Sequence, residues 1–191
     1  AVVTTGPGGT NAITGLCAAW LDSISCIFIS GQARIEHTTQ DKPLRQIGSQ
    51  QIDIVSLVSP ITKYAVMLEK PELIKYHLQK AVYLAKSGRP GPVWIDIPLN
   101  FQWASINPDK IQKFNIPAKL KGNMPKVLRD AVGDCCKRLL SAQRPLILVG
   151  HGVRLAGGEK ELAKLLKILK IPYVSSWNAC DLRGSGDGKN I

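Results

Sequence analysis

Apolar positions along the chain fall into two spacings that take turns. Short runs dominated by apolar residues occur at residues 1–4, 26–30, 61–67, 93–97, 146–149 and 171–175, each bounded by Gly, Pro or polar residues. Such runs read as buried strands. Between them the apolar positions recur every three to four residues, the period of a helix with one buried face. Ile13, Leu16, Cys17, Trp20 and Leu21 form one stripe, with Thr10 or Asn11 as its expected N-cap. Ile52, Ile54, Val55 and Val58 mark a short helix, and Leu73, Ile74, His77, Leu78, Ala81, Leu84 and Ala85 a longer one that starts at Pro71 and stops at Gly88. Leu128, Ala131, Val132, Cys135 and Leu139 give a further stripe, and Leu162, Leu165, Leu166 and Leu169 another. Strands alternating with longer helices predict an α/β fold with open parallel sheets covered by helices.

The rhythm breaks between residues 98 and 125, where Pro98, Pro108, Pro117 and Pro125 stand among several lysines. This composition reads as a linker. The expected organisation is therefore two incomplete doubly wound parallel-sheet units, residues 1–98 and 126–191, joined by a Pro/Lys-rich linker over 99–125. The first strand opens without a preceding element, and the last residues, Gly184-Ser-Gly-Asp-Gly-Lys-Asn-Ile191, form a loop with nothing to cap it. The chain accordingly reads as an internal fragment.

Charge changes this picture little. The net charge is +11, with nine basic and seven acidic residues in 1–108 against sixteen and seven in 109–191. Lys160, Lys164, Lys167 and Lys170 lie opposite the leucine stripe of their helix and read as a solvated face. With aromatic residues at 6%, base-stacking platforms are too sparse for a nucleic-acid-binding module. No apolar stretch has the roughly 20 residues a membrane-spanning helix needs. Five cysteines, Cys17, Cys26, Cys135, Cys136 and Cys180, lack metal-ligand spacing and read as reduced thiols, which points to the cytoplasm. The three histidines are scattered, and no protein-held metal site is expected within the chain.

Candidate chemistry concentrates at glycine turns after strands. Gly6-Pro7-Gly8-Gly9-Thr10-Asn11 joins a strand to a helix start, where glycines let a ligand approach the backbone. Gly150-His151-Gly152 repeats that placement. Neither turn meets the dinucleotide fingerprint G-x-G-x-x-G, because Asn11 and Leu155 occupy the third glycine position. A nicotinamide- or nucleotide-binding oxidoreductase is the alternative reading, and it requires an acid near the end of the next strand. Ile171-Pro-Tyr-Val-Ser-Ser-Trp177 supplies none. Arg89 sits in the stiff turn Ser87-Gly-Arg-Pro-Gly-Pro92, suited to a phosphate or a planar ring. Gly186-Asp187-Gly188 with Asn190 is too compact for a magnesium–diphosphate site and reads as a loop.

Taken in order, Thr5-Gly-Pro-Gly-Gly-Thr-Asn11, Ser30-Gly-Gln32, Gln50-Gln-Ile-Asp53, Ile61-Thr-Lys-Tyr64, Ser87-Gly-Arg-Pro-Gly-Pro-Val93, Asp96-Ile-Pro98 and Val149-Gly-His-Gly152 are far more specific than any one of them. The series resembles the large-subunit family of acetohydroxyacid (acetolactate) synthase, a group of thiamine-diphosphate-dependent enzymes, across essentially the whole chain. The resemblance implies that residues 1–98 are the later part of the pyrimidine-binding domain and residues from about 126 the first part of a central, FAD-type domain. It implies a decarboxylating carbon–carbon ligase acting on small 2-oxoacids. It also implies that the glutamate activating the cofactor and the magnesium–diphosphate site lie outside this chain.

Residue by residue, the resemblance assigns Gln50 to the catalytic site beside thiamine diphosphate, and Gly6, Pro7, Gly8 and Asn11 to the cofactor-binding turn. It assigns Arg89 and the Gly150-His151-Gly152 turn to FAD. Ser49 and Gln51 stand where the family pattern reads Phe-Gln-Glu, and Trp177-Asn178 departs from the usual flavin-contacting stretch. A homodimer or homotetramer is the implied assembly, with Mg2+ bound by ligands beyond the chain and activity absent from the isolated 191 residues.

Overall fold

The computed structural model describes residues 1–39, 42–118 and 125–182. The chain divides into two units, Ala1–Ala118 and Lys119–Ile191, each built on its own parallel sheet.

Unit 1 runs β1 (Val2–Val3), α1 (Pro7–Asn11), α2 (Ile13–Leu21), β2 (Ile27–Gln32), α3 (Ile54–Val58), β3 (Ala65–Met67), α4 (Ile74–Lys86), β4 (Val93–Pro98) and α5 (Leu99–Gln102). Its four strands are all parallel in the order β1-β2-β4-β3, with Ile27 opposite Val93 through Gln32 opposite Pro98 at the centre. The side-chain period of two along a strand sorts β4 between two cores. Trp94 joins Phe28, Leu16, Ile54 and Val58 on one face, while Val93 and Ile95 join Ala81 and Ala85 of α4 on the other. Trp94 and Phe28 are register partners, and their rings stack with centroids 5.2 Å apart. Helices thus cover both faces, as the strand–helix alternation predicts.

Local detail departs from the sequence reading where tertiary contacts compete. The helix expected after Thr10 or Asn11 is α2, capped by Ala12, and a separate short helix α1 precedes it, with Gly6 as N-cap and Pro7 in its first turn. Pro lacks only an N–H that has no helical partner there. Trp20 and Leu21, expected in the buried stripe, are exposed, and Leu16 and Ala19 carry the burial. The run 61–67 yields a strand only at Ala65–Met67, since Ser59–Ile61 close a 3-10 turn. Residues 99–118, expected within the linker, belong to unit 1. The Phe114 N–H donates to Gln79 Oε1 at 3.0 Å, and its ring packs on Tyr76 and Tyr83.

Unit 2 comprises α6 (Lys126–Ser141), β5 (Ile147–Val149), α7 (Gly152–Leu155), α8 (Glu159–Leu169) and β6 (Tyr173–Ser175). β5 and β6 pair in parallel, and α8 places Leu166 against Val149 and Tyr173 to form the core. α8 ends on Lys170 in the left-handed region at φ 54°, whose N–H donates to Leu166 O. α6 has helical periodicity but buries none of its residues.

Candidate functional site

Because every strand of unit 1 is parallel, the segments leaving β1, β2 and β4 emerge at the same end of the sheet. Loops at that end are where open α/β folds present ligand-contacting groups. β1 leads into Thr4-Thr5-Gly6, and Gly6 takes φ 58°, a conformation favouring glycine. A Cβ built on Gly6 would stand 2.2 Å from the Gln50 carbonyl oxygen. Glycine is therefore required twice, by its dihedral and by its neighbour. Gln50 itself is exposed and adopts φ 56°, unusual for a residue with a side chain. The structure thus brings together Gly6 and Gln50, forty-four positions apart in the chain.

The other members of that turn are placed differently. Gly8 packs over Thr4, whose Cγ2 would lie 2.5 Å from an added Cβ, and the Gly8 N–H donates to Thr5 O. Its glycine character serves close packing. Pro7 and Asn11 are exposed on α1, and Asn11 ends that helix where it had been expected to begin one.

Beneath the Gly6–Gln50 contact lies a buried polar network. Asp96 in β4 is 1% exposed, and Gln32 in β2 is 4% exposed. Gln32 Nε2 donates to Asp96 Oδ2 at 2.8 Å and to Ile52 O at 2.9 Å. Gln32 Oε1 accepts from Thr5 Oγ1 at 3.1 Å and from the Ala33 N–H at 2.9 Å. The Ser30 hydroxyl donates to Asp96 Oδ1 and accepts from Trp94 Nε1. Burial pushes the Asp96 carboxyl up to about 6, against the opposing pull of the hydrogen bonds from Ser30 and Gln32. Beside the network an open cleft of about 1020 Å3 is lined by Thr4, Thr5, Gly31, Arg34, Ser49 and Phe101, among others.

Ser30-Gly-Gln32 and Asp96-Ile-Pro98 belong to the ordered motifs, which by themselves assign no role to Ser30, Gln32 or Asp96. A usable signal was present. Each interrupts an apolar strand with a polar side chain, and a polar group in a buried strand must find partners.

Arg89 lies elsewhere. It precedes β4, so it sits at the end of the sheet opposite Gly6 and Gln50. Its Nε donates to Ser23 Oγ at 2.7 Å, and Lys63 Nζ is held by the carbonyls of Ser87 and Arg89. A second hollow, of about 510 Å3, is lined there by Trp20, Leu21, Lys63 and residues 87–90. In unit 2, Gly150 and Gly152 leave open space where a Cβ would stand, apart from Ser176 Oγ at 4.0 Å from the one on Gly150. His151 Nδ1 is 3.0 Å from Asn178 O, and Arg154 pairs with Asp181 at 2.8 Å. Trp177 is 92% exposed. The Gly150 turn is thereby tied to the segment carrying the Trp-Asn departure. Gly186, Asp187, Gly188 and Asn190 lie outside the described residues.

Among the described residues no group of three or more His, Cys, Asp or Glu is placed to hold a metal ion, and the five cysteines are unbridged. No helix among them is long and apolar enough to cross a membrane.

Comparison with known proteins agrees with the two-unit architecture. Residues 1–57 match the family described as thiamine pyrophosphate enzyme, N-terminal TPP binding domain, and residues 132–187 match the thiamine pyrophosphate enzyme central domain. The probable acetolactate synthase large subunit of Methanocaldococcus jannaschii is 38% identical, over 92% of this chain and 29% of its own length. The acetolactate synthase large subunit of Haemophilus influenzae is 34% identical over 92% of this chain and 30% of its own. The acetolactate synthase isozyme 3 large subunit of Escherichia coli is 31% identical over 97% and 30%. The chain therefore spans about three-tenths of the length of these relatives. The nucleotide-binding oxidoreductase reading finds no support in these matches. With the two domain types matched in order along one chain, on parallel-sheet units of the expected kind, this chain belongs to the thiamine pyrophosphate enzymes.

Proposed function

We propose that the protein carrying this chain is a thiamine-diphosphate-dependent, acetolactate-synthase-like transferase that decarboxylates a small 2-oxoacid and joins the remaining carbons to a second carbonyl. The observation that carries this reading is the Gly6–Gln50 contact, which sets the exposed residue Gln50 against the glycine turn that leaves β1. A carboxamide offers a donor and an acceptor side by side, the complement of an aminopyrimidine edge. Gln50 and the Gly6 turn would hold that ring. When bound, thiamine diphosphate supplies the electron sink that takes up the electron pair released as the carboxylate leaves. The apolar wall of the adjacent cleft, Leu68, Ile74, Ile97 and Phe101, would exclude water from the reacting carbons. Mg2+ is proposed to bind through ligands outside this chain; among the described residues no group of three or more His, Cys, Asp or Glu is placed to hold it.

FAD is the second cofactor of this proposal. The residues that fit it are Arg89, with the Trp20 indole and Lys63 bordering the same hollow, and separately the open Gly150-His151-Gly152 turn. A homodimer or homotetramer in the cytoplasm completes the reading, consistent with free thiols.

Carbon dioxide release from pyruvate by the full-length protein tests the proposal. Release is expected only with thiamine diphosphate and Mg2+, and no release from any small 2-oxoacid would overturn it. Gln50→Ala is expected to lower kcat/KM roughly 10- to 1000-fold, about 1.4–4 kcal/mol of transition-state stabilisation, with the fold retained. Unchanged kinetics would remove Gln50 from the site.

A further inference from the structure

We propose that Gln32, oriented by Asp96, is a positioning residue that sets the conformation of the loop presenting Gln50. This rests on the reading of Gln50 as cofactor-facing.

Gln50 holds a left-handed backbone without being glycine, and such a conformation persists only where its surroundings over-determine it. Gly6 supplies the close contact, but something must keep the β1 exit and the Gln50 loop at that separation. The Gln32 side chain touches both. Its oxygen accepts from Thr5, the residue before Gly6, and its nitrogen donates to the carbonyl of Ile52, two residues beyond Gln50. With the Ala33 N–H and Asp96 as further partners, the carboxamide makes four hydrogen bonds, all that its two donors and two lone pairs allow.

Asp96, together with the Ile52 carbonyl and the Ala33 N–H, decides which way this amide faces. An ionised carboxylate only accepts, so the nitrogen must point toward it. A flipped amide would set its oxygen against both Asp96 and the Ile52 carbonyl, and its NH2 against the Ala33 N–H. Ser30 in turn fixes Asp96, and Trp94 fixes Ser30. A buried carboxylate is a poor source of stability compared with an apolar side chain of similar size. Its use here, behind one amide and away from the cleft lining, fits a part that confers orientation.

The test is a double-mutant cycle in the full-length protein with two readouts. Gln32→Met keeps the side-chain length and removes all four hydrogen bonds. In the cofactor-free protein, amides in residues 48–53 are expected to exchange with deuterium roughly tenfold faster, while those of β4 keep their protection. In kinetics, Gln32→Met is expected to lower kcat about tenfold or more in the parent protein, but no more than about twofold further in the Gln50→Ala background. Equal losses in both backgrounds, or unchanged exchange over 48–53, would overturn the proposal. Thr5→Val removes one of the four bonds and serves the same cycle where Gln32→Met does not fold. Asp96→Asn retains an acceptor for Gln32 and is expected to keep exchange over 48–53 slow, whereas Asp96→Leu is expected to speed it. If Gln50→Ala alone leaves turnover unchanged, the cofactor reading of Gln50 fails, while the exchange measurement still judges the positioning role of Gln32.

Discussion

At the scale of single residues, the same side-chain type does different work according to depth. Asp53 is exposed and accepts from the Ser56 N–H at 3.0 Å to cap α3, whereas Asp96 is buried and its carboxyl is lifted by desolvation. The sign of the resulting pH dependence follows from linkage. Asp96 has a folded value of about 6, above its ordinary 3.8, so the folded state binds the proton more tightly. Its contribution to stability is therefore present below about pH 4 and is lost as pH rises through about 6, on the order of 3 kcal/mol across that window. Melting temperatures of wild type and Asp96→Asn, compared from pH 4 to pH 7, check this. The wild type is expected to lose ground to the variant as pH rises, and a difference independent of pH would contradict it. Arg89 carries the second prediction at this scale. A yellow full-length protein with flavin absorbance is expected, and Arg89→Ala is expected to weaken flavin binding at least about tenfold, because a charge-assisted contact contributes about 1.5–3 kcal/mol. A colourless protein, fully active and indifferent to added FAD, would dismiss the flavin and leave the thiamine reading standing.

At the scale of elements, boundaries were set by contacts that periodicity does not encode. The apolar spacing matches α8 (Glu159–Leu169), where Leu166 is buried and Leu162 half-buried against Val149 and Tyr173, while Leu165, expected in the same stripe, is exposed. Its end is less favourable. Lys170 occupies the left-handed cap where glycine is preferred, at φ 54°. Lys170→Gly is expected to raise the stability of unit 2 by about 0.5–1 kcal/mol, seen as a higher midpoint in denaturant unfolding, because glycine takes this conformation without strain. A lower midpoint would show that the lysine side chain outweighs the strain. α1 teaches the reverse lesson. Thr10 and Asn11 are good capping residues on intrinsic grounds, yet both lie within α1, which Gly6 caps, and Ala12 stands at the cap of α2.

At the scale of the whole molecule, each of the two units carries one of the two family matches. Among the described residues there is no cluster able to hold a divalent ion, and the Gly186-Asp187-Gly188 stretch lies outside them. The 191 residues by themselves are expected to release no carbon dioxide from pyruvate even with thiamine diphosphate and Mg2+ supplied. Turnover above a heat-inactivated control would overturn that expectation and would mean that the described surfaces suffice for cofactor activation.

The sequence by itself determined the fold class and most of the elements. Strand and helix periods are local properties, written wherever one face must be buried, and so β2, β4, α4 and α8 were legible from spacing alone. The ordered motifs likewise carried the family, because a series of short matches in one order is specific even when each member is weak. Only the tertiary structure decided which of those residues meet. That Gly6 lies under Gln50, that Gln32 bridges Thr5 and Ile52, and that Arg89 sits at the other end of the sheet follow from the parallel strand order β1-β2-β4-β3. Strand order is a long-range pairing, chosen by the packing of both sheet faces at once, and no local window of sequence contains it.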